Sequence, residues 1–305
     1  MNAAFDLISQ VAAVFLGIFI EAVPFLLLGT LASGLVEVFF DQEELAHLLP
    51  RQPLLAALTG CLLGLFIPVC ECGVVPLTRR LFQKGAPTAV GISFLLAAPV
   101  INPVVIASTY AAFGFSPVFW GRLGLTLAIA LITGLVFSRQ ADVNQLLRTP
   151  LQPAPLVLTE VIAPPQKAPV AARLRKAALI AGDEFFEMGR YLVIGSLLAA
   201  LLQILVPQPV LAALGRGPVL SVVAMAAIAV LLSVCSTVDA FIALAFVGQF
   251  ANGALLSFLV YGPMVDIKSV LMFARVFRRR SVVYLVLLPL LLTLVSTAVW
   301  NLVAK

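Results

Sequence analysis

The sequence predicts an all-α polytopic membrane protein of eight to ten transmembrane or re-entrant segments, built as two pseudo-symmetric repeats with proline-broken helices. Three observations carry that fold class. The 305 residues are 62% hydrophobic and 11% charged, with a mean hydropathy of +1.12, whereas an average soluble domain is roughly 25% charged. Several apolar runs reach or approach the ~20 residues that cross about 30 Å of hydrocarbon. Finally, polar landmarks in the first half recur in the second at a nearly constant separation.

The first run, 7–31, has no Lys or Arg before Arg51 and contains Glu21. It lacks the basic n-region of a cleaved leader and reads as a retained helix. An acidic stretch, Asp41 to Glu44, follows; beside it the only histidine, His47, reads as a solvated loop residue. Run 53–75 carries Cys61, which suits helix packing. That run continues into Ile67-Pro68-Val69-Cys70-Glu71-Cys72-Gly73-Val74-Val75-Pro76. Runs 88–113 and 117–137 complete the first half, the former interrupted at its centre by Ala98-Pro99-Val100-Ile101-Asn102-Pro103.

Residues 139–182 contain six prolines, from Pro150 to Pro169, and the basic cluster Arg173-Leu174-Arg175-Lys176. This composition predicts an extended cytoplasmic linker between membrane repeats at 1–138 and 183–305. The second half offers runs 191–206, 218–234, 255–277 and 281–303, with a short apolar piece at 239–250.

Phe19 to Phe25 aligns with Phe185 to Tyr191, Cys70 with Cys235, and Ala98 to Asn102 with Gly262 to Asp266, at separations of 166, 165 and 164 residues. Three landmarks in one register predict a tandem duplication. The basic loops 79–84 and 275–280 fall at different repeat positions, as complementary loops of an inverted repeat would. Plain counting of four crossings in the first half favours parallel repeats instead, so the parity stays open. The net charge of +5 is spread over short loops; it fits positive-inside bias in a cytoplasmic membrane and does not suggest nucleic acid as a partner.

Charge and thiol are costly in hydrocarbon and persist where the chain lines a cavity or path. Cys70 and Cys72 supply soft ligands of the kind that select Cu(I), Zn(II) or arsenic-like centres, with Glu71 between them. In a regular helix the two thiols diverge by about 200°. The flanking prolines predict a break that turns both into one cavity. If the halves meet about a twofold axis, Cys235 joins them, with Asp239 nearby. Pro99 with Asn102, and Pro263 with Asp266 and Lys268, predict half-helix ends that shape a site and carry coupling charge. Glu21 and Glu187 share a repeat position as candidate coupling acids; Glu21, the deeper, is the better proton-relay candidate, while Glu187, with Asp183, Glu184 and Arg190 near it, also fits an interface position.

The segments 68–77, 85–89 and 97–103, with 235–241 and 261–266, resemble a predicted-permease family. That family includes organoarsenical efflux permeases and proteins designated copper/zinc exporters. The likeness runs from about Phe19 to Arg280. It implies an inner-membrane permease whose cysteines hold a soft metal or metalloid as cargo, with no resident cofactor. Glu71 stands where many relatives carry Ser. No GxxxxGK[ST] stretch occurs, so a gradient or a partner membrane subunit would supply energy; assembly as a homodimer is also open. Two rival readings remain: a membrane-embedded thiol–disulfide oxidoreductase, in which Cys235 resolves the Cys-x-Cys pair, and a permease for a non-metal solute.

Overall fold

The computed structural model describes residues 2–40, 49–67, 69–139, 143–148, 169–205, 217 and 219–303. The His47 loop, Pro68 and most of the proline-rich linker lie outside this set. The described residues form helices, with only two isolated β-bridges and no strand. In chain order these are α1 (Asn2–Phe39), α2 (Pro53–Phe66), α3 (Glu71–Gln83), α4 (Thr88–Ala97), α5 (Pro103–Phe113), α6 (Pro117–Ser138) and α7 (Val143–Leu146). The second half supplies α8 (Val170–Leu205), α9 (Leu220–Leu232), α10 (Asp239–Leu244), α11 (Asn252–Met264), α12 (Ile267–Val276) and α13 (Arg279–Val303). Five described segments are long and apolar enough to cross a membrane: α1, α6, α8, α11 with α12, and α13.

Local chemistry sets the boundaries. Proline opens α2, α5 and α6, where a missing N–H costs nothing. Asn102 and Ser116 cap α5 and α6 by accepting from Val105 N and Phe119 N. Run 53–75 is not one crossing: α2 stops at Phe66, and Ile67 and Cys70 are extended (φ −112, ψ 98 and φ −85, ψ 179) before α3 begins. In the other half, Ser233 adopts the left-handed conformation (φ 46, ψ 41) and ends α9. Residues 170–182, read as linker in the sequence, form the opening turns of α8. Ala177 and Ala181 there pack on Gly34 of α1, and this contact holds the segment helical.

Contact registers give the direction of each helix. Gly29 lies on Gly73, and Lys84 Nζ donates to Glu37 O at 2.8 Å, so α1 and α3 run together. Gly60 meets Val90 and Phe94 while Gly64 meets Ala98, making α2 and α4 parallel. α3 returns to α4 through a tight turn at Gly85 (φ 82), with Phe82 seated on Gly91. Consequently α2 and α3 run in opposite senses, a hairpin that enters and leaves by one face. α6 is antiparallel to α4, since Ser93 Oγ donates to Ala130 O while Gly134 meets Ala89.

The second half repeats this plan upside down. α8 is antiparallel to α1, with Arg173 donating to Val38 O at 3.0 Å. α9 is parallel to α11, because Ser257 Oγ donates to Val222 O and Gly262 meets Ala229. α13 is antiparallel to α11, through Gly253 N donating to Asn301 Oδ1 at 2.7 Å and Tyr261 OH donating to Val286 O at 3.3 Å. Each repeat thus holds a long helix, a re-entrant hairpin, a broken crossing and a long helix. The count of four crossings per half becomes three plus a hairpin, which makes the repeats inverted. The short piece 239–250 supplies the returning arm of the second hairpin. α3 and α12 lie together at the end that carries Arg79, Arg80, Lys84 and Arg275, and α5 packs against α10 at the other.

Candidate functional site

The hairpin tips meet in the interior. Cys70 precedes α3, its carbonyl accepting from Gly73 N at 3.1 Å and Val74 N at 3.0 Å. Glu71 therefore occupies the first turn of α3, where the helix dipole favours an anion. Cys70, Cys72 and Cys235 are all buried and unoxidised. Cys70 and Cys72 flank Glu71, and Cys235 lies two residues past Ser233, whose carbonyl accepts from the same Lys268 that contacts Glu71. Thr237 Oγ1 donates to Cys235 Sγ at 3.5 Å. The break at 67–70 thus brings both thiols of the first tip to the second. Among the described residues, no three His, Cys, Asp or Glu side chains stand in a metal-ligating arrangement.

Charge is concentrated around the thiols. Lys268 is 1% exposed. Its ammonium lies 3.2 Å from Asp266 and 3.5 Å from Glu71, and it donates to Ser233 O at 2.7 Å. One cation therefore joins α12, the tip of the first hairpin and the tip of the second. A buried charge needs such compensation, because taking a bare ion out of water costs several kcal/mol. Two carboxylates share this one ammonium.

Asp239 has its own counter-ion. Arg122 of α6 is fully buried and donates to Asp239 Oδ2 at 2.6 Å, to Thr109 Oγ1 at 2.8 Å and to Ser236 O at 3.4 Å. Sequence reasoning passed over Arg122 as part of an apolar run. The signal was present: a lone arginine inside a 22-residue helix is as costly in lipid as Glu71. With Arg122 in place, Asp239 sits as half of an ion pair.

The remaining candidates divide. Asn102 and Asp266, at equivalent repeat positions, are both helix N-caps. Asn102 accepts from Val105 N at 3.0 Å and donates to Ala98 O at 3.0 Å, so its amide is engaged in the chain turn. Asp266 Oδ1 accepts from Ser269 N at 2.7 Å in a reciprocal capping box, leaving its other oxygen toward Lys268. Pro99 lies in the turn between α4 and α5. Pro263 is instead carried within α11, and the second break falls after it, at Val265, where the extended backbone and the Asp266 cap restart the helix. Glu21 is half-buried, with one carboxylate oxygen unpartnered among the described residues.

Glu187 does not join Glu21. It pairs with Arg79 at 3.0 Å and Arg275 at 2.7 Å at the basic end, because inversion sends equivalent positions to opposite faces. Beside it, Arg80 binds Glu184 and lies 3.3 Å from Glu37, and Lys84 lies 3.3 Å from Glu37. This network ties α1, α3, α8 and α12 together at that end. Glu37 and Glu184 were not singled out in the sequence.

The comparisons agree with a transporter. A family model described as "Predicted permease" matches residues 7–302. The chain is 43% identical over 279 residues to "UPF0718 protein YcgR" of Bacillus subtilis (strain 168), covering 91% of this chain and 92% of that protein. It is 35% identical over 278 residues to a Streptococcus mutans protein named "Putative two-component membrane permease complex subunit", covering 91% and 90%. No solved structure matches the chain. A family match over nearly the whole length, on a fold whose polar residues gather where two inverted hairpins touch, has one conclusion: the chain belongs to the predicted permease family.

Proposed function

We propose that the protein is a secondary permease of the cytoplasmic membrane that exports a soft metal or metalloid species bound transiently by Cys70, Cys72 and Cys235. The observation that carries this reading is the meeting of the two inverted hairpins, where Lys268 joins Glu71 and Ser233, with the buried Cys70, Cys72 and Cys235 next to these residues in the chain. Soft centres prefer thiolate, and a carboxylate that shares its counter-ion gives a proton or cation a place during the cycle. A set of three cysteines favours cargo satisfied by two or three thiolates, such as Cu(I) or trivalent arsenic, over zinc held by four ligands. The curated relative named as a complex subunit supports a partner membrane protein for this chain as well.

The inequality of the two ends supports transport by exchange of the repeats. Gly29 and Gly195 occupy equivalent positions, and each lets a long helix close on the basic-end arm of the other elements: Gly29 on Gly73, Gly195 on Lys268. The equivalent of Gly73, Pro76 and Arg79 on α10 is Val238, Phe241 and Leu244, and these are 40%, 47% and 41% exposed. Rocking α1 and α8 toward α5 and α10 would cover those faces and uncover α3 and α12. Inverted repeats move in this way around a fixed central site.

The test is transport of Cu(I) and of trivalent arsenical into everted membrane vesicles by wild type and by the Cys70→Ser, Cys72→Ser and Cys235→Ser variants. Gradient-dependent accumulation lost in each variant, with the protein still in the membrane, is the expected result. Undiminished transport by the triple variant would overturn the thiol mechanism.

A further inference from the structure

Arg278, Arg279 and Arg280 open α13 at the basic end, and all three are exposed. With Gln145, Ser281 and Tyr284 they line a cavity of about 650 Å³. Its far wall is held in place rather than loosely apposed. Arg278 N donates to Leu146 O at 2.8 Å, Arg148 N to Val276 O at 2.9 Å and Arg278 Nε to Leu147 O at 3.0 Å, fixing α7 across the α12–α13 junction. A second cleft of about 350 Å³ shares Arg279, Arg280 and Tyr284 and runs down to Val283. Below it, α13 exposes Leu287, Leu291, Val295 and Val299 on one continuous face. Among the described residues, the ion pairs of this end engage Arg79, Arg80, Lys84 and Arg275, and none reaches Arg279 or Arg280.

We propose that this cleft is a binding site for an anionic phospholipid of the cytoplasmic leaflet. The lipid phosphate lies between Arg279 and Arg280 with the Tyr284 hydroxyl beside it, and an acyl chain follows the exposed face of α13. Guanidinium matches phosphate in charge and in bidentate geometry, and tyrosine favours the interfacial level. The first turn of a 25-residue helix adds unpaired N–H groups and a positive dipole end. A topology signal needs only the charge. The fixed wall, the hydroxyl and the apolar stripe directly beneath are what an amphipathic occupant requires, and they distinguish a lipid from a free anion. The site is remote from the thiols and stands whether or not the cargo is a metal.

The experiment uses the full chain, delipidated and reconstituted into bilayers of phosphatidylcholine with or without phosphatidylglycerol, with retained lipid read by native mass spectrometry. Wild type retains phosphatidylglycerol in preference to phosphatidylcholine. Arg279→Gln/Arg280→Gln weakens that retention by roughly 30-fold, from the contribution of two basic residues at an anionic surface, while Arg51→Gln leaves it unchanged. Millimolar inorganic phosphate does not displace the lipid. Equal retention of both lipids, or no loss in the double variant, would overturn the site. Competition by phosphate alone would make it a free-anion site instead. Retention that emerges only after deletion of residues 149–168 would assign the cavity to the chain's own linker.

Discussion

The Arg122–Asp239 pair offers the sharpest quantitative test. The two groups are 0% and 2% exposed and lie 2.6 Å apart, and the contact joins repeats across 117 positions of chain. Arg122→Gln leaves Asp239 in the interior without its cation, and breaking such a pair costs on the order of 3–5 kcal/mol. Asp239→Asn strands Arg122 and should cost a similar amount. The double variant Arg122→Gln/Asp239→Asn removes both charges and retains hydrogen-bonding groups, so it should recover to within about 1 kcal/mol of wild type. The assay is thermal unfolding of purified protein in detergent, followed by loss of the monodisperse peak. For a chain of this size, each single variant should fall by roughly 5–8 °C and the double by about 2 °C. If the two single losses simply add in the double variant, the contact is not an interacting pair, and the reading of Asp239 as engaged rather than free for cargo fails.

Three further outcomes follow from the same geometry. Lys268→Ala should be severe, on the order of 3–5 kcal/mol by the same unfolding assay, because it strands Glu71 and Asp266 together. Glu71→Gln should cost no more than about 2 kcal/mol, since Lys268 keeps Asp266 at 3.2 Å; equal losses would contradict the shared-cation arrangement. Gly29→Ala places a Cβ against the Gly73 backbone and should disfavour the form closed at the basic end by about 1–3 kcal/mol. Labelling of Cys72 by an impermeant maleimide from that side should then rise, and unchanged labelling would count against closure there. Asn102→Ala should lose about 1 kcal/mol of cap energy while Asn102→Ser retains most of it; equal losses in unfolding temperature would mean the amide matters for something other than capping.

Much of the architecture was legible because polar residues are rare here. Against an apolar background, Glu21, Cys70 and Asn102 stood out and revealed the duplication through Glu187, Cys235 and Asp266. The membrane class followed from composition alone. Parity was hidden because run 53–75 is long enough to cross, and its reversal depends on extended backbone at Ile67 and Cys70 that hydropathy cannot distinguish from a kink. Glu21 and Glu187 share a repeat position but not a location, because sequence equivalence carries no sign and inversion sends them to opposite faces. Ion pairs such as Arg122 with Asp239 join residues far apart in the chain, and neither local period nor motif specifies them. Asn102 was readable in principle, since Asn followed by Pro is the start signal of a helix.

The reciprocal bracing of the hairpins bears on biogenesis. Glu71 of the first repeat depends on a lysine of the second, and Asp239 of the second depends on an arginine of the first. As the ribosome releases the amino-terminal half, that half holds an unmatched acid and an unmatched base in the lipid phase until the remainder is inserted. Neither half made alone can settle its charges, so fragments should survive in the cell only when synthesised together, and a truncated product carries its own mark for proteolysis.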